Sequence, residues 1–475
     1  MKDVVLAINQ VVLAYFVLIL VSHTGITFLS WLQVRRYFRL LVHARLQRSV
    51  RSRLTPPISM CVPGYNEEGV IVDSVRSMLS LRYPEHEVVL VNDGSTDATL
   101  QRVIEAFDMH RVDQPQHVQL ETKPVRGVWR SEIHSGLVVI DKENGGKCDA
   151  LNAAINFARY PLVCCVDADS LLEPEALVTI VRPFIERPDR TIAAAGIIRV
   201  ANGCEVTRGH VTAIGLPKKW LPMFQTVEYL RAFTAARTGW SLLNSLLIIS
   251  GAFGIFRKDA VIDVGGYATD SIGEDFELVM RLHRRMRELK RPYHIAFVPD
   301  PVCWTEAPEN LKQLGGQRDR WNRGLTDTLM RHRGMIGNPR FGTVGMLGLP
   351  FFVLFEFLGA FIEAAGYIAI TVGFAVGYVD ASNAALFFLL AVGSGVSLSL
   401  SALLLEDVAF RKFGRWRDFG RLVAFCVLEN FGYRQLMNFY RVRGFISYVR
   451  GDHDWGHIDR AGFAPDALQP EVGMR

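Results

Sequence analysis

The sequence lacks any pairing pattern among its cysteines. Cys61, Cys148, Cys164, Cys165, Cys204, Cys303 and Cys426 are scattered without a CxxC spacing, which argues against a zinc site or a disulfide framework and fits a reducing compartment for the soluble part. A strong charge of one sign is also lacking, since the formal net charge is only +5. The basic residues sit beside apolar runs, where a membrane surface explains them, so a nucleic-acid role has little support. A signal-peptide cleavage site is missing too. Only Lys2 precedes the first apolar run, no small-x-small sequence ends it, and the run exceeds a normal signal core. The composition is not that of a disordered or fibrous chain.

Apolar and polar residues are instead gathered into separate blocks, as in a membrane protein that carries a soluble domain. At 475 residues the chain suggests two or three units. The first block, Val4 to Leu32, is long enough to cross a ~30 Å hydrocarbon layer at ~1.5 Å per residue. Arg35, Arg36, Arg39, Arg45, Arg48, Arg51 and Arg53 follow it, which places that side in the cytoplasm and the N-terminus outside. Val344 to Val379 suits an interfacial helix plus a span, and Ala384 to Leu405 one more span. Arg411, Lys412, Arg415, Arg417 and Arg421 then mark a return to the cytoplasm. Beyond them, crossing would bury Glu429, Arg434, Arg441 and Arg443 at ~2.5–3.5 kcal/mol each. That stretch is expected to lie in the cytoplasmic interface. The expected units are an N-terminal transmembrane helix (1–34), a basic linker (35–55), a catalytic domain (56–333), interfacial and transmembrane helices (334–405), a basic loop with an interfacial helix (406–450) and a cytosolic tail (451–475).

From Pro56 to about Pro299 short β-branched runs alternate with helical stretches, which predicts a parallel α/β sheet. Strands are expected at Ile58 to Pro63, Glu87 to Asp93, Leu137 to Asp141, Leu162 to Asp169 and Ile192 to Ile198. Ligands gather at the carboxyl ends of such strands, and those ends carry Tyr65, Glu67, Asp93, Asp167 and Asp169. The Asp-x-Asp of VDADS projects two carboxylates from one face, a pair of hard oxygen donors suited to a divalent ion that also holds phosphates. It also suits a turn or helix cap, and so does Asp97, expected to cap the helix Ala98 to Phe107. The region Pro217 to Ser250 is expected to pack as a helix against the membrane face, in preference to touching substrate.

VPGYNEE, VNDGSTD, ENGGKCDALN and VDADS occur in order at the spacing of successive βα units, followed by SIGED and GGQRDRW. In these motifs the chain, over about Pro56 to Arg333, resembles the inverting family-2 glycosyltransferases of GT-A fold. The resemblance is to the membrane-embedded branch that makes hyaluronan, cellulose, chitin and poly-N-acetylglucosamine. It implies an α/β fold with a cytosolic, Rossmann-like GT-A domain inserted between transmembrane helices, with interfacial helices alongside. Pro63, Tyr65, Glu67 and Asp93 would hold uracil and ribose, an aromatic face and carboxylates suiting a flat base with NH and OH donors. Lys147 and Arg320 would reach the diphosphate, with Asp167 on the donor and Asp167 and Asp169 on Mg2+ or Mn2+. Asp275 matches the catalytic base, which takes the proton of the attacking acceptor hydroxyl, and Glu274 supports it; here GED stands where relatives carry TED or GDD. Gln317, Arg318, Trp321, Ser250 and Gly251 would contact the acceptor, the indole giving a face on which a sugar ring stacks. Trp455 and Arg460 of DWGHIDR look like a gating loop over the nucleotide.

The function this implies is processive polymerisation from a UDP-sugar, UDP-N-acetylglucosamine first and UDP-glucose next, with the growing polysaccharide fed through the chain's own helices in the lipid bilayer of the cell's inner membrane. Two other readings stay open: a single transfer to a lipid or polyprenyl phosphate, and a catalytically silent envelope receptor or scaffold. Three helices suffice as a conduit, or a partner subunit or second copy completes it. No PilZ-like module is evident for cyclic-dinucleotide control.

Overall fold

The computed structural model describes residues 2–43, 55–114, 117–207, 209–410 and 415–451. Its soluble part is built on a ten-stranded sheet. In chain order the strands are β1 (Ile58–Gly64), β2 (His86–Asn92), β3 (Met109–Val112), β4 (Val125–Ser131), β5 (Leu137–Lys142), β6 (Leu162–Val166), β7 (Leu171–Leu172) and β8 (Thr191–Val200). A separate hairpin follows, β9 (Glu205–Thr207) with β10 (His210–Ala213), and then β11 (Phe253–Arg257) and β12 (His294–Thr305). The spatial order is β3-β4-β5-β2-β1-β6-β11-β8-β12-β7. Strands β5, β6 and β8 are buried along their whole length, which explains why they read as continuous apolar runs with no alternation.

The sheet is mixed, which corrects the expectation of a parallel one. β5, β2, β1 and β6 run parallel, as do β8 and β12. β11, however, lies antiparallel between β6 and β8. Gly254 at its middle lets Ile249 pack close, since a Cβ would meet Ile249 Cγ2 at 2.4 Å. β3 and β4 add an antiparallel edge next to β5, and their mixed exposure marks a sheet margin with one wetted face. Strand order reverses at β1, which sends β2 to one side and has β6 on the other, so the crevice beyond their carboxyl ends is the expected ligand position.

Among the described residues, three helices are long and apolar enough to cross a membrane: Ala7–Arg39, Val344–Ala375 and Ala381–Phe410. The first lies within α1 (Lys2–His43). The helices that shape the site follow: α2 (Lys147–Phe157), α3 (Trp220–Tyr229), α4 (Glu274–Glu288) and α5 (Leu311–Arg331). The second candidate span winds through wide turns at Val344–Gly348 and Phe352–Phe357 before the regular helix α6 (Gly359–Ala375). It is followed by α7 (Ala381–Phe410), α8 (Trp416–Leu428) and α9 (Tyr433–Val449).

The charges of the last helices are paired. Arg434 donates to Glu363 of α6 at 2.6 and 3.1 Å, and Asn438 donates to the same carboxylate at 2.8 Å. Arg441 pairs with Glu356 at 3.2 Å, and Arg231 with Glu429 at 2.6 Å. α9 therefore packs directly on α5 and α6. Neither α8 nor α9 is among the candidate spans.

Candidate active site

The loops after β1 and β2 are laced together. Asn66 N–H donates to Ser95 Oγ at 3.0 Å, Thr96 N–H to Asn66 Oδ1 at 2.8 Å, and Glu67 N–H to Thr99 Oγ1 at 2.8 Å. Asp97 accepts from the Thr99 N–H at 3.0 Å and the Glu68 N–H at 3.2 Å just ahead of the helix Thr99–Ala106, whose N-cap is Ala98 and not Asp97 as expected. These bonds hold Tyr65 on the surface, 45% exposed.

Asp93, expected on the donor, is engaged within the fold. Its carboxylate is buried and takes Lys142 Nζ at 2.6 Å, the Gly145 N–H at 3.0 Å and the Gly146 N–H at 2.7 Å. Lys142 also reaches Asp149 Oδ1 at 2.5 Å. Asp93 thus fixes the turn that opens α2, a turn in which Gly146 takes φ +84°, the left-handed region that favours glycine. The next residue is Lys147.

Lys147 Nζ bridges Asp167 Oδ1 at 2.7 Å and Glu274 Oε1 at 3.1 Å. Burial works against the ammonium, but these two carboxylates hold its pKa above the ordinary value. Gly251 leaves room for it, since a Cβ there would lie 2.8 Å from Nζ. Asp167 and Asp169 follow the end of β6 at the switch point. Among the described residues no group of three or more His, Cys, Asp or Glu could hold a metal by itself. A magnesium-type ion is usually held by one or two carboxylates with phosphates and water as its other ligands; Asp167 and Asp169 fit such an ion, Asp167 being paired here with Lys147.

α4 begins at Glu274, and α5 crosses it where two glycines touch: a Cβ on Gly273 would meet Gly324 Cα at 2.9 Å, and one on Gly324 would meet Gly273 Cα at 2.8 Å. This contact brings Asp275 and Trp321 to one cavity. Burial first, then the charge of Glu274, pushes the Asp275 pKa from 3.8 up to about 6, against the pull of Lys147, the Phe276 N–H and Arg237. On α5, Gln317, Arg318, Arg320 and Trp321 all line the same cavity, and Gln317 Oε1 is buried without a hydrogen-bond partner. Trp321 is 45% exposed.

The cavity measures about 1050 Å³. It gathers Lys147, Asp167, Asp169, Ser250, Gly251, Glu274, Asp275 and the four α5 residues, and runs on to His23, Phe351, Phe352 and Glu356 of the apolar helices. Pro63, Tyr65, Glu67 and Asp93 are not part of its lining. Trp455 and Arg460 lie outside the described residues.

Two corrections concern its walls. The segment 220–242 does more than pack against apolar helices: Glu228, Tyr229, Arg231, Phe233, Arg237 and Trp240 line the cavity. Burial lowers the Arg237 pKa to about 10, and its guanidinium lies 3.9 Å from the centroid of the Phe233 ring. The sequence signal for this wall is three charges, Glu228, Arg231 and Arg237, spaced by multiples of three in an otherwise apolar helix. The second concerns Arg318, expected on the acceptor: its guanidinium is held by both oxygens of Glu228, at 2.7 and 2.9 Å, while its Nε is buried without a hydrogen-bond partner.

A family model described as glycosyl transferase family 2 matches residues 59–265. The poly-beta-1,6-N-acetyl-D-glucosamine synthase of Staphylococcus epidermidis is 31% identical over 274 residues, 58% of this chain and 56% of that protein. The synthase of the same name from Staphylococcus aureus strain MSSA476 is 29% identical over 275 residues, with the same coverage. The chain spans about half the length of the curated relatives it matches. Among solved structures, a mannosyltransferase from Pyrobaculum calidifontis in complex with GDP-Man and Mn2+ covers 93% of this chain and 99% of its own at 17% identity and a TM-score of 0.49. The Asp93-held turn, Lys147 and the Asp167–Asp169 pair all lie inside the span, residues 59–265, that the glycosyl transferase family 2 model matches.

Proposed function

We propose that the protein is an inverting, processive β-glycosyltransferase that polymerises a sugar from a UDP-sugar and passes the product along its membrane helices. UDP-N-acetylglucosamine is the favoured donor, with UDP-glucose next. The observation that carries this reading is the single cavity in which Lys147, Asp167, Asp169, Asp275 and Trp321 meet and which continues to the apolar helices. The names of the relatives support the choice of donor.

Asp275 accepts the proton of the acceptor hydroxyl as that oxygen bonds to the anomeric carbon from the face opposite UDP. The bond from that carbon to the diphosphate oxygen breaks, its electron pair leaves with UDP, and the configuration inverts. Lys147 and Arg320 offset the negative charge that grows on the diphosphate. A Mg2+ or Mn2+ ion held by Asp167 and Asp169 would supply further charge neutralisation there. Gln317 offers its unpartnered Oε1 to a sugar hydroxyl, and Trp321 presents its indole to the acceptor ring. The domain is placed in the cytosol, with the chain a multi-pass protein of the cytoplasmic membrane; a second copy or a partner subunit would complete the glycan path.

The test is UDP release and product mass spectrometry with purified protein, divalent metal and a panel of UDP-sugars. Polymer from UDP-N-acetylglucosamine supports the reading, and no UDP release from any donor by folded protein refutes it. The apolar end of the cavity, with Phe351 and Phe352 in its lining, favours one alternative, a single transfer to a lipid or polyprenyl phosphate. One sugar on a lipid in place of polymer would identify it.

A further inference from the structure

Glu228 belongs to the wall that the motifs do not cover. Both its oxygens accept from Arg318, Nη1 at 2.7 Å and Nη2 at 2.9 Å, and Tyr433 Oη donates to Oε2 at 2.8 Å. A two-bond fork of this kind fixes the plane of a guanidinium as well as its position. Arg318 is only 7% exposed, and its Cζ lies 4.3 Å from the centroid of the Trp321 ring. Three residues apart on α5, the two side chains are neighbours on one helix face. The cation therefore covers one side of the indole, while the ring remains 45% exposed. Tyr433 is itself anchored, its ring stacked on Phe224 at 4.7 Å. Helices α3, α5 and α9 meet at this one carboxylate. Burial disfavours its charge, but Arg318, Arg231 and the Tyr433 hydroxyl hold its pKa below the ordinary value, so it stays ionised at neutral pH.

We propose that Glu228 is a positioning residue for the acceptor: by holding Arg318 flat against one face of Trp321, it leaves the other face as the single platform on which the acceptor's terminal sugar stacks. This rests on the glycosyltransferase reading above. An ion pair that served stability alone would have no need to sit against the indole, and its loss would not separate acceptor binding from turnover. A pair that sets the ring plane acts on each acceptor end as it returns to the site, so its loss shortens the product.

The experiment uses the full chain in detergent with UDP-N-acetylglucosamine and a short β-linked N-acetylglucosamine oligosaccharide. Glu228→Gln keeps the shape and removes the charge. The acceptor KM is expected to rise about tenfold, with kcat at saturating acceptor falling less than about threefold and products becoming shorter, because a misplaced platform costs orientation more than chemistry. Tyr433→Phe keeps the ring packing and removes one hydrogen bond, and should raise the acceptor KM about threefold. Wild-type acceptor KM and product length in folded Glu228→Gln overturn the proposal; so does a fall in kcat with no change in KM. If Glu228→Gln does not fold, wild-type values in Tyr433→Phe overturn it. Fluorine NMR of fluorotryptophan-labelled protein gives a readout independent of turnover. The Trp321 resonance, assigned by its loss in Trp321→Phe, should shift or broaden in both variants, and an unmoved resonance overturns the proposal. Absence of UDP release by the wild type would instead defeat the functional reading, and the resonance would still decide whether Glu228 sets the ring.

Discussion

Replacing Asp275 by Asn should sharply slow turnover and at the same time make the protein more stable at neutral pH. In the folded chain the Asp275 pKa is raised to about 6 from an ordinary 3.8. The folded state therefore binds this proton more tightly than the unfolded state. Below about pH 4 both states hold the proton and the shift contributes nothing; above about pH 6 both have lost it, and the folded state bears the whole cost. A difference of roughly two pKa units at about 1.4 kcal/mol each sets an upper bound near 3 kcal/mol. The carboxylate lines an open cavity, and water there screens it, so about 1–2 kcal/mol is the expected gain. Thermal unfolding in detergent at pH 7.5 and again near pH 4 measures it. The Asp275→Asn protein should melt a few degrees higher at the first pH and together with the wild type at the second. Its turnover should fall about 10²–10⁴-fold, the usual contribution of a general base, and the wild-type kcat/KM should decline as pH falls through about 6. Equal melting temperatures at pH 7.5, or turnover within tenfold of the wild type, would refute the assignment of a strained carboxylate as the base.

Gly324→Ala puts a Cβ 2.8 Å from Gly273 Cα and pushes α5 off α4; activity should fall about 10²-fold in a steady-state UDP-release assay while the protein stays folded. Lys142→Met leaves the buried carboxylates of Asp93 and Asp149 facing each other without their cation, and thermal or denaturant unfolding should report a loss of about 3–5 kcal/mol. Arg434→Met strands the Glu363 carboxylate and should cost a similar ~3–5 kcal/mol, whereas the double variant Glu363→Leu with Arg434→Met should recover most of it in the same melt. Excess EDTA should stop UDP release, and added Mg2+ or Mn2+ should restore it; persistence of full activity in chelator would exclude Asp167 and Asp169 as holders of a required ion.

How much of this was legible in the sequence depends on how local each signal is. β1, β2, β5, β6 and β8 announce themselves because each is a short β-branched run buried on both faces, and their carboxyl ends carry Asp93, Asp167 and Asp169 in plain view. The antiparallel insertion of β11 was not legible, since pairing with both β6 and β8 is decided by residues far away in the chain. The partners of Asp93 were not legible for the same reason. A carboxylate at a strand end looks the same whether it awaits a ribose or a lysine 49 positions on. The segment 220–242 misled because an amphipathic helix shows one polar face, and nothing in its period says whether that face meets water, headgroups or a substrate cavity.

The charges around the last two helices meet partners that a cost estimate per residue does not count. Taken one at a time, Glu429, Arg434 and Arg441 each argue against an apolar surrounding. In the fold none of them stands alone: Glu429 meets Arg231 and Ser399, Arg434 meets Glu363, and Arg441 meets Glu356. The partners come from the candidate spans and from the same 220–242 segment that walls the cavity. A buried pair adds little stability over apolar side chains of the same size, so stability alone does not account for the two more buried ones, Arg434–Glu363 and Arg231–Glu429. Each accepts one arrangement of its helices and penalises the others, because sliding α9 along α6 would strand Glu363. The pairs thereby fix α9, and through Tyr433 on Glu228 they fix the wall behind Trp321. The ion pairs that set α9 against the candidate spans and the Glu228 cluster behind Trp321 thus share one helix.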